Sequence, residues 1–326
     1  MTNKYRFALL LVASLFAVSA NGAPVAYSVN SDSGSENQDS LYQIDLATGI
    51  EERQGLLSAG SETRDDTEGL AMDADGNLWG VDDDSRTIFK INKNAGFISA
   101  EEPLYDFPYI PTLGGNDFGM TFSCDNTLYA ATVQTQTLYK LNPADGIGEI
   151  IGTEGSLGVN ISAIAANDDP DFLYAIGSGT YDNGEIDSPN LYRIDLLTGI
   201  PTIIGPLGMG TTISDYDQAG LAFDSQGVLW AITDRRIIND QKAANQPSEI
   251  LRININTGAA EVVWTTQEIG FESLAIAPPI ACDSLNPVEE PGDDVPHIPT
   301  LSTLGQMLAV FVLMFAGMLV LRRRIS

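Results

Sequence analysis

The chemistry this sequence offers is that of carboxylate and amide oxygens. Asp66, Glu68, Asn116, Asp117, Asn160, Asp215, Asp217 and Glu272 each stand at or just before the start of a short apolar segment. Carboxylates brought together at one mouth repel each other, and a hard cation such as calcium relieves that repulsion. On that reasoning Glu68, Asp117, Asp217 and Glu272 are the candidate metal ligands, and calcium is the one cofactor the residues suggest. The same residues suit a plainer role as solvated loop acids or turn formers, and residue type alone leaves both readings open. Asp82-Asp83-Asp84 reads as a strand end followed by a turn, since no run here has calcium-loop spacing with glutamate in twelfth place. Tyr105, Phe107 and Tyr109 could line a sugar groove or anchor a loop.

Other chemistries drop out. The only histidine is His297, far from the repeated part of the chain, so no Ser-His-Asp or Cys-His nucleophile can form there. A zinc site of histidine and cysteine ligands is excluded for the same reason. No glycine loop precedes a helix in the way a phosphate cradle requires. The expectation is therefore a protein without catalytic residues of these kinds.

The elements that position the acids come from a phrase used five times. Leu41-Tyr42-Gln43-Ile44-Asp45 closes on Gly49, and Ile88-Phe89-Lys90-Ile91-Asn92 closes on Gly96. Leu138 to Asn142 closes on Gly146, Leu191 to Asp195 on Gly199, and Ile250 to Asn254 on Gly258. The glycines are 47, 50, 53 and 59 residues apart, the period of a propeller blade. Within one unit, Gly69 to Met72, Leu78 to Val81, Thr87 to Ile91 and Phe97 to Ala100 are four short runs divided by Asp, Asn and Gly turns. That pattern predicts four antiparallel strands, called a to d from the axis outward.

The first unit lacks a strand a, and Glu272 to Ala277 supplies one at the other end of the repeat region. Pairing the two would close the ring and remove two exposed sheet edges. The prediction is an all-β, five-bladed propeller over residues 24–279. Its a–b and c–d turns are short and share one face. Its b–c and d–a connections lie on the other, and several are long: Ser31 to Asp39, Ser58 to Asp66, Phe107 to Asn116, Thr180 to Pro189 and Arg235 to Pro247. Long loops on a rigid scaffold are the expected place for binding.

Both ends of the chain read as targeting segments. Lys4 and Arg6, the apolar run Phe7 to Ala17 and the small residues before Ala20 make residues 1–20 a secretory signal peptide. Residues 280–297 are a proline-rich acidic spacer. Residues 304–321 carry no charge and precede Arg322-Arg323-Arg324; as a helix they would span ~27 Å, enough for one membrane crossing with the arginines inside. Between the ends lie all 44 acidic residues and 11 of the 16 basic ones. Nucleic acid is a poor partner for that surface. In an exported chain the pair Cys124 and Cys282 predicts a disulfide, both positions falling on the short-turn face near the axis.

Ile298-Pro299-Thr300-Leu301-Ser302, then Gly305, the apolar segment and the arginines, resemble the IPTL-CTERM family of bacterial C-terminal sorting signals, relatives of the PEP-CTERM signals. The resemblance covers about the last 29 residues, 298–326. It implies recognition by an exosortase-like membrane protease, removal of the helix and delivery to the cell surface or the extracellular matrix, with at least transient anchoring in the inner membrane. The blade phrase resembles that of bacterial surface and periplasmic propellers and, more distantly, of gluconolactonase-like and NHL-type propellers. The gluconolactonase-like resemblance implies a divalent metal at the channel mouth. Two functions follow as expectations: a non-catalytic module binding an extracellular glycan or protein, or a metal-dependent hydrolase of lactones or phosphate esters.

Overall fold

The computed structural model describes residues 24–31, 33–82, 85, 87–98, 105–106, 117–178, 189–208, 218–235 and 246–282. Packing divides the chain into Met1–Asp283 and Ser284–Ser326. The signal segment, the spacer beyond residue 282, the Ile298–Leu301 motif and residues 304–321 lie outside the described residues.

Among the described residues there is no helix, and the strands form five sheets. Blade 1 contains β1 (Val25–Val29), β2 (Ser40–Asp45) and β3 (Ile50–Leu56). A hairpin of β4 (Ser58–Ala59) and β5 (Glu62–Thr63) leads to blade 2, which has β6 (Thr67–Met72), β7 (Leu78–Asp82), β8 (Thr87–Ile91) and β9 (Phe97–Ile98). After β10 (Tyr105–Asp106), blade 3 has β11 (Phe118–Phe122), β12 (Leu128–Thr132), β13 (Thr137–Leu141) and β14 (Gly148–Ile151). Blade 4 runs through β15 (Asn160–Ala165), β16 (Phe172–Ser178), β17 (Asn190–Asp195) and β18 (Pro201–Pro206). Blade 5 is β19 (Gln218–Phe223), β20 (Leu229–Arg235), β21 (Gln246–Ile253) and β22 (Ala260–Ile269). In every blade successive strands pair antiparallel from the axis outward.

The repeated phrase is explained by which side each residue faces. Leu41 packs toward blade 2, with Leu70 and Phe89, while Tyr42 and Ile44 pack toward blade 5, with Trp230 and Phe271. The same alternation places Leu138 toward blade 4 and Tyr139 and Leu141 toward blade 2. A strand c is thus apolar on both faces. Its third position, where Gln43, Lys90, Lys140, Arg193 and Arg252 stand, is the one that stays polar. Lys90 lies over the Trp79 ring at 4.9 Å, covering an aromatic of strand b while its ammonium stays wet.

The closing Asp or Asn and the glycine build the c–d turn. The side-chain oxygens of Asp45, Asn92, Asn142, Asp195 and Asn254 each accept the N–H two residues on, at 2.8–3.0 Å. The carbonyls of these same residues accept the glycine N–H at 2.7–2.9 Å. All five glycines have φ between 64° and 78°, which only glycine adopts without strain. Two a–b turns share a second device: Asp73 and Asp224 accept the indole N–H of Trp79 and Trp230, both at 2.9 Å, and two turn N–H groups each.

Glycines also let neighbouring blades touch through their backbones. A Cβ on Gly55 would stand 2.0 Å from the Ala95 carbonyl oxygen, and one on Gly96 would stand 2.4 Å from that of Gly55. Gly152 and Gly199 meet in the same way between blades 3 and 4, as do Gly205 and Gly258 between blades 4 and 5. At the seam of blades 5 and 1 the outer-strand glycine is replaced by Trp264, whose ring lies against Gly49 and whose indole donates to the Leu46 carbonyl at 3.1 Å. Glu51 completes this outer closure by accepting the N–H of Gln267 at 2.6 Å and of Glu268 at 3.3 Å.

The expected inner closure is present and narrower than the sequence suggested. Rather than a full ladder over Glu272 to Ala277, one bridge joins Tyr27 and Ala275, with N–H···O distances of 2.7 and 2.9 Å. Ser273 adds side-chain support, its hydroxyl accepting the Val29 N–H at 3.1 Å and its carbonyl accepting from Ser28. Ser58 to Asp66, read from sequence as an open loop, instead carries the β4–β5 hairpin, with β4 parallel to β9. Cys124 and Cys282 form the predicted disulfide, with their Cα atoms 4.5 Å apart.

Gly55→Ala should destabilise the propeller by about 1–3 kcal/mol, because the new methyl meets fixed backbone of the next blade. Gly60→Ala, at a φ of 69° with nothing within 4 Å, should cost about 1–2 kcal/mol through left-handed strain alone. Denaturant unfolding of both variants checks the distinction: Gly55 lacks positive φ, so a wild-type stability for Gly55→Ala would contradict the close approach.

Candidate functional site

The inner strands define what the axis can hold. Glu68, Phe118, Ser162, Ala219 and Glu272 occupy equivalent positions at the start of the five inner strands, followed by Gly69, Gly119, Ala163, Gly220 and Ser273. The small second residues bring the strands almost into contact: a Cβ on Gly119 would stand 2.9 Å from Ala163, and one on Gly220 would stand 2.3 Å from Ser273. The channel is nearly filled as a result. A space of about 10 Å³ remains at the long-loop end, between Glu68 and Ser162, and about 30 Å³ at the other end. Pro278, Pro279 and Ile280 cap that second space, above Leu70, Phe122 and Phe223.

At the long-loop end the polar residues gather at the seam of blades 1 and 2. Glu68 is 5 % exposed, and its Oε2 accepts the Phe118 N–H at 2.8 Å, tying blade 2 to blade 3. Glu272 is 2 % exposed, and its Oε1 accepts from the Ser31 hydroxyl. Ser31 also reaches the Thr67 carbonyl at 3.2 Å, so one serine of the blade 1 b–c loop touches both inner strands. Asp117 stands just before β11, and its carbonyl accepts the Val133 N–H at 3.1 Å. Asn160 opens β15 and accepts from Gln136 at 2.9 Å. Asp217 lies outside the described residues, as do Asn116, Asp215, Asp83, Asp84, Phe107, Tyr109 and His297.

The structure therefore brings Glu68 and Glu272 to neighbouring inner strands and gives each a protein donor. Among the described residues no three acidic, histidine or cysteine side chains converge as a metal ligand set. Buried carboxylates at a channel mouth are here hydrogen-bond acceptors for the scaffold, a use that residue type and spacing do not distinguish from metal ligation. Asp82 behaves alike, accepting the N–H of Asp66 at 3.0 Å and of Ser85 at 2.8 Å, in keeping with a strand end and turn.

Sequence reasoning passed over Asp39, which ends the b–c loop of blade 1. Its backbone is left-handed, with φ 60°, and its Oδ1 is buried without a hydrogen-bond partner. Burial pushes the carboxyl up to about 7, the charges of Asp65 and Asp82 add to the rise, and a hydrogen bond with Gln38 opposes it. Asn30, fully buried beside it, accepts the Asp39 N–H on its carbonyl at 3.3 Å and the Ser40 N–H on its side chain at 2.9 Å. The signal available in sequence was the Asn30–Ser40 loop itself, polar throughout and yet bounded by two core strands.

No family model matches the chain, and no curated protein sequence matches it. Among solved structures, one similar chain is a symmetrical protein studied for its de novo evolutionary emergence, at 17% identity over 79% of this chain and 99% of that one, with a TM-score of 0.44. Virginiamycin B lyase from Staphylococcus aureus is similar at 17% identity over 74% of this chain and 70% of its own, with a TM-score of 0.38. A Bacteroides caccae protein of unknown function is similar at 13% identity over 78% and 99%, with a TM-score of 0.39. None of these likenesses bears on activity. The strands and seams themselves establish this chain as an all-β, five-bladed propeller.

Asp39 generates a pH dependence. Its carboxyl titrates higher in the folded state than in the unfolded chain, so the folded state holds the extra proton between about pH 4 and 7. Its contribution to stability is full below the unfolded value and is lost as pH rises through 7. Chemical denaturation at pH 5, 6, 7 and 8 should show Asp39→Asn losing less stability over this range than the wild-type protein; parallel profiles would refute the assignment.

Proposed function

We propose that this protein is an exported propeller that binds an extracellular glycan or protein without catalysing a reaction, through the loops at the long-loop end. The observation that carries this reading is the filled axis. Spaces of about 10 and 30 Å³ admit water but no small molecule, whereas small-molecule sites are clefts of roughly 300–1,000 Å³. The two buried glutamates at the mouth already serve the scaffold, and the opposite end is capped by the chain leading to Cys282. A groove of about 430 Å³ lined by Val228, Arg252, Asn254, Ile255 and Glu261 of blade 5 lies at the short-turn end, where the chain leaves the propeller; at the long-loop end recognition falls to loop surface.

The end segments support the same reading from sequence. A signal peptide at residues 1–20 exports the chain, and the IPTL-type tail with the segment 304–321 delivers it to the cell surface through an exosortase-like protease. Because the chain leaves the propeller at the short-turn end, the loops at the other end face outward.

The rival reading, a divalent-metal-dependent lactonase or phosphoesterase, draws on Asp39, whose carboxyl near 7 with Asp65 and Asp82 alongside has the protonation behaviour of a general base. Two measurements separate them. Millimolar calcium should leave the thermal midpoint of the full chain unchanged, and the chain should be retained on cell-surface matrix or glycan arrays. Replacing the b–c loops at 179–189 and 236–245 with a short turn like Val133–Gln136 should abolish retention while preserving stability. A calcium-dependent rise in midpoint with lactone or phosphate-ester turnover would favour the rival. No retention on cells, matrix or glycans would end the binding reading.

A further inference from the structure

The closing strand is the one inner strand not tied to its blade by a hairpin turn. Inner strands β6, β11, β15 and β19 are each hairpin partners of the next strand in their own blade. Residues 272–276 have no such covalent turn; they join blade 1 through the single Tyr27–Ala275 bridge, the Ser273 contacts, the hydrogen bond from Ser31 to Glu272, and the burial of Leu274 and Ile276 beside Phe271. The chain then continues directly from this strand toward the C-terminus. A pull on the tail would therefore act first on the strand that closes the ring.

Cys282 lies six residues beyond Ile276 and is bonded not to blade 1 but to Cys124 of blade 3. Cys124 sits in the a–b turn between β11 and β12, which are paired over five residues from Phe118 to Leu128 and buried in blade 3. The intervening residues cross the short-turn end of the axis, with Pro278, Pro279 and Ile280 against inner-strand side chains. Tension applied beyond Cys282 thus reaches a covalent bond into a complete hairpin before it reaches the closing strand.

We propose that the Cys124–Cys282 bridge is a strain relief: it diverts force on the C-terminal tail into blade 3, so that the tail can be pulled without opening the propeller. Two features of the bridge distinguish it from a general staple. The bridge lies outside the closing strand rather than within it, and it skips the adjacent blades. The inference does not depend on what holds the tail, so it stands or falls separately from the binding reading.

The test is single-molecule pulling on the full chain, with one peptide-tag handle inserted at Gly34 and the other at the C-terminus. Gly34 is exposed on the b–c loop of blade 1 and has nothing within 4 Å of a Cβ position. The Cys124→Ser/Cys282→Ser variant should show an early low-force step releasing residues 271–282, about 40 Å of chain, which the bridged protein lacks. With handles at Gly34 and Gly227, a geometry that leaves the tail slack, bridged and variant proteins should rupture at the same force. Absence of the early step, or equal weakening in both geometries, would overturn the proposal. If the double variant does not fold, reducing the bridge in the folded wild-type protein gives the same comparison.

Discussion

The whole structure depends on each blade burying both faces against a neighbour. Five apolar clusters fill the five seams, and one of them joins Trp230, Ile232 and Ile250 of the last blade to Ala26, Tyr42 and Ile44 of the first. Without that seam one face of blade 1 and one face of blade 5 would stand in water, each with its row of core side chains exposed. Apolar burial is worth about 25 cal/mol per Å², so an open array would forfeit one seam's worth of stabilisation and gain two sheet faces prone to association. Closure is therefore made at two radii. Near the axis the Tyr27–Ala275 bridge and Ser273 hold the inner strand; at the rim Trp264 and Glu51 hold the outer one.

Tight closure dictates where function can reside. Small residues at the second position of the inner strands draw the strands together until, among the described residues, the axis keeps only spaces of about 10 and 30 Å³. The glycine pairs at the rim draw the outer strands against the next blade's turns by the same device. Among the described residues, neighbouring blades are thus drawn together both at the axis and at the rim.

The acids of this strongly anionic chain divide by what surrounds them. Burial raises the Asp73 carboxyl, but hydrogen bonds from Trp79, Asn77 and the turn backbone outweigh it and hold the group below its ordinary value. Asp125 follows the same rule through Ser123 and Thr127. At Asp39 burial and acidic neighbours outweigh the one hydrogen bond from Gln38, so its carboxyl moves the other way. Aspartates in the short a–b turns are thus structural anions, satisfied by their own turns, whereas the blade 1 loop holds one that exchanges its proton near neutrality.

The five-fold phrase determined the fold. Alternation in Leu-Tyr-x-Ile states that strand c is buried on both sides, and the Asp or Asn followed by glycine states that a tight turn ends it; both are local properties, readable from adjacent residues. Blade number, strand order and the donated last strand followed from the repeat because each blade copies the last, while the Cys124–Cys282 pairing followed from an exported chain having two cysteines. What only the tertiary structure decided was the use of side chains that meet across distant sequence. Glu68 and Glu272 offer carboxylates that the sequence places at one mouth, and the fold gives them the Phe118 amide and the Ser31 hydroxyl, partners 50 and 241 residues away. Asp39 acquired its character from burial, with Asp65 and Asp82 adding to it, and Gly55 its necessity from Ala95 in the next blade. Periodicity encodes which face a residue presents; the identity of the atom it meets there is fixed only when the ring has closed.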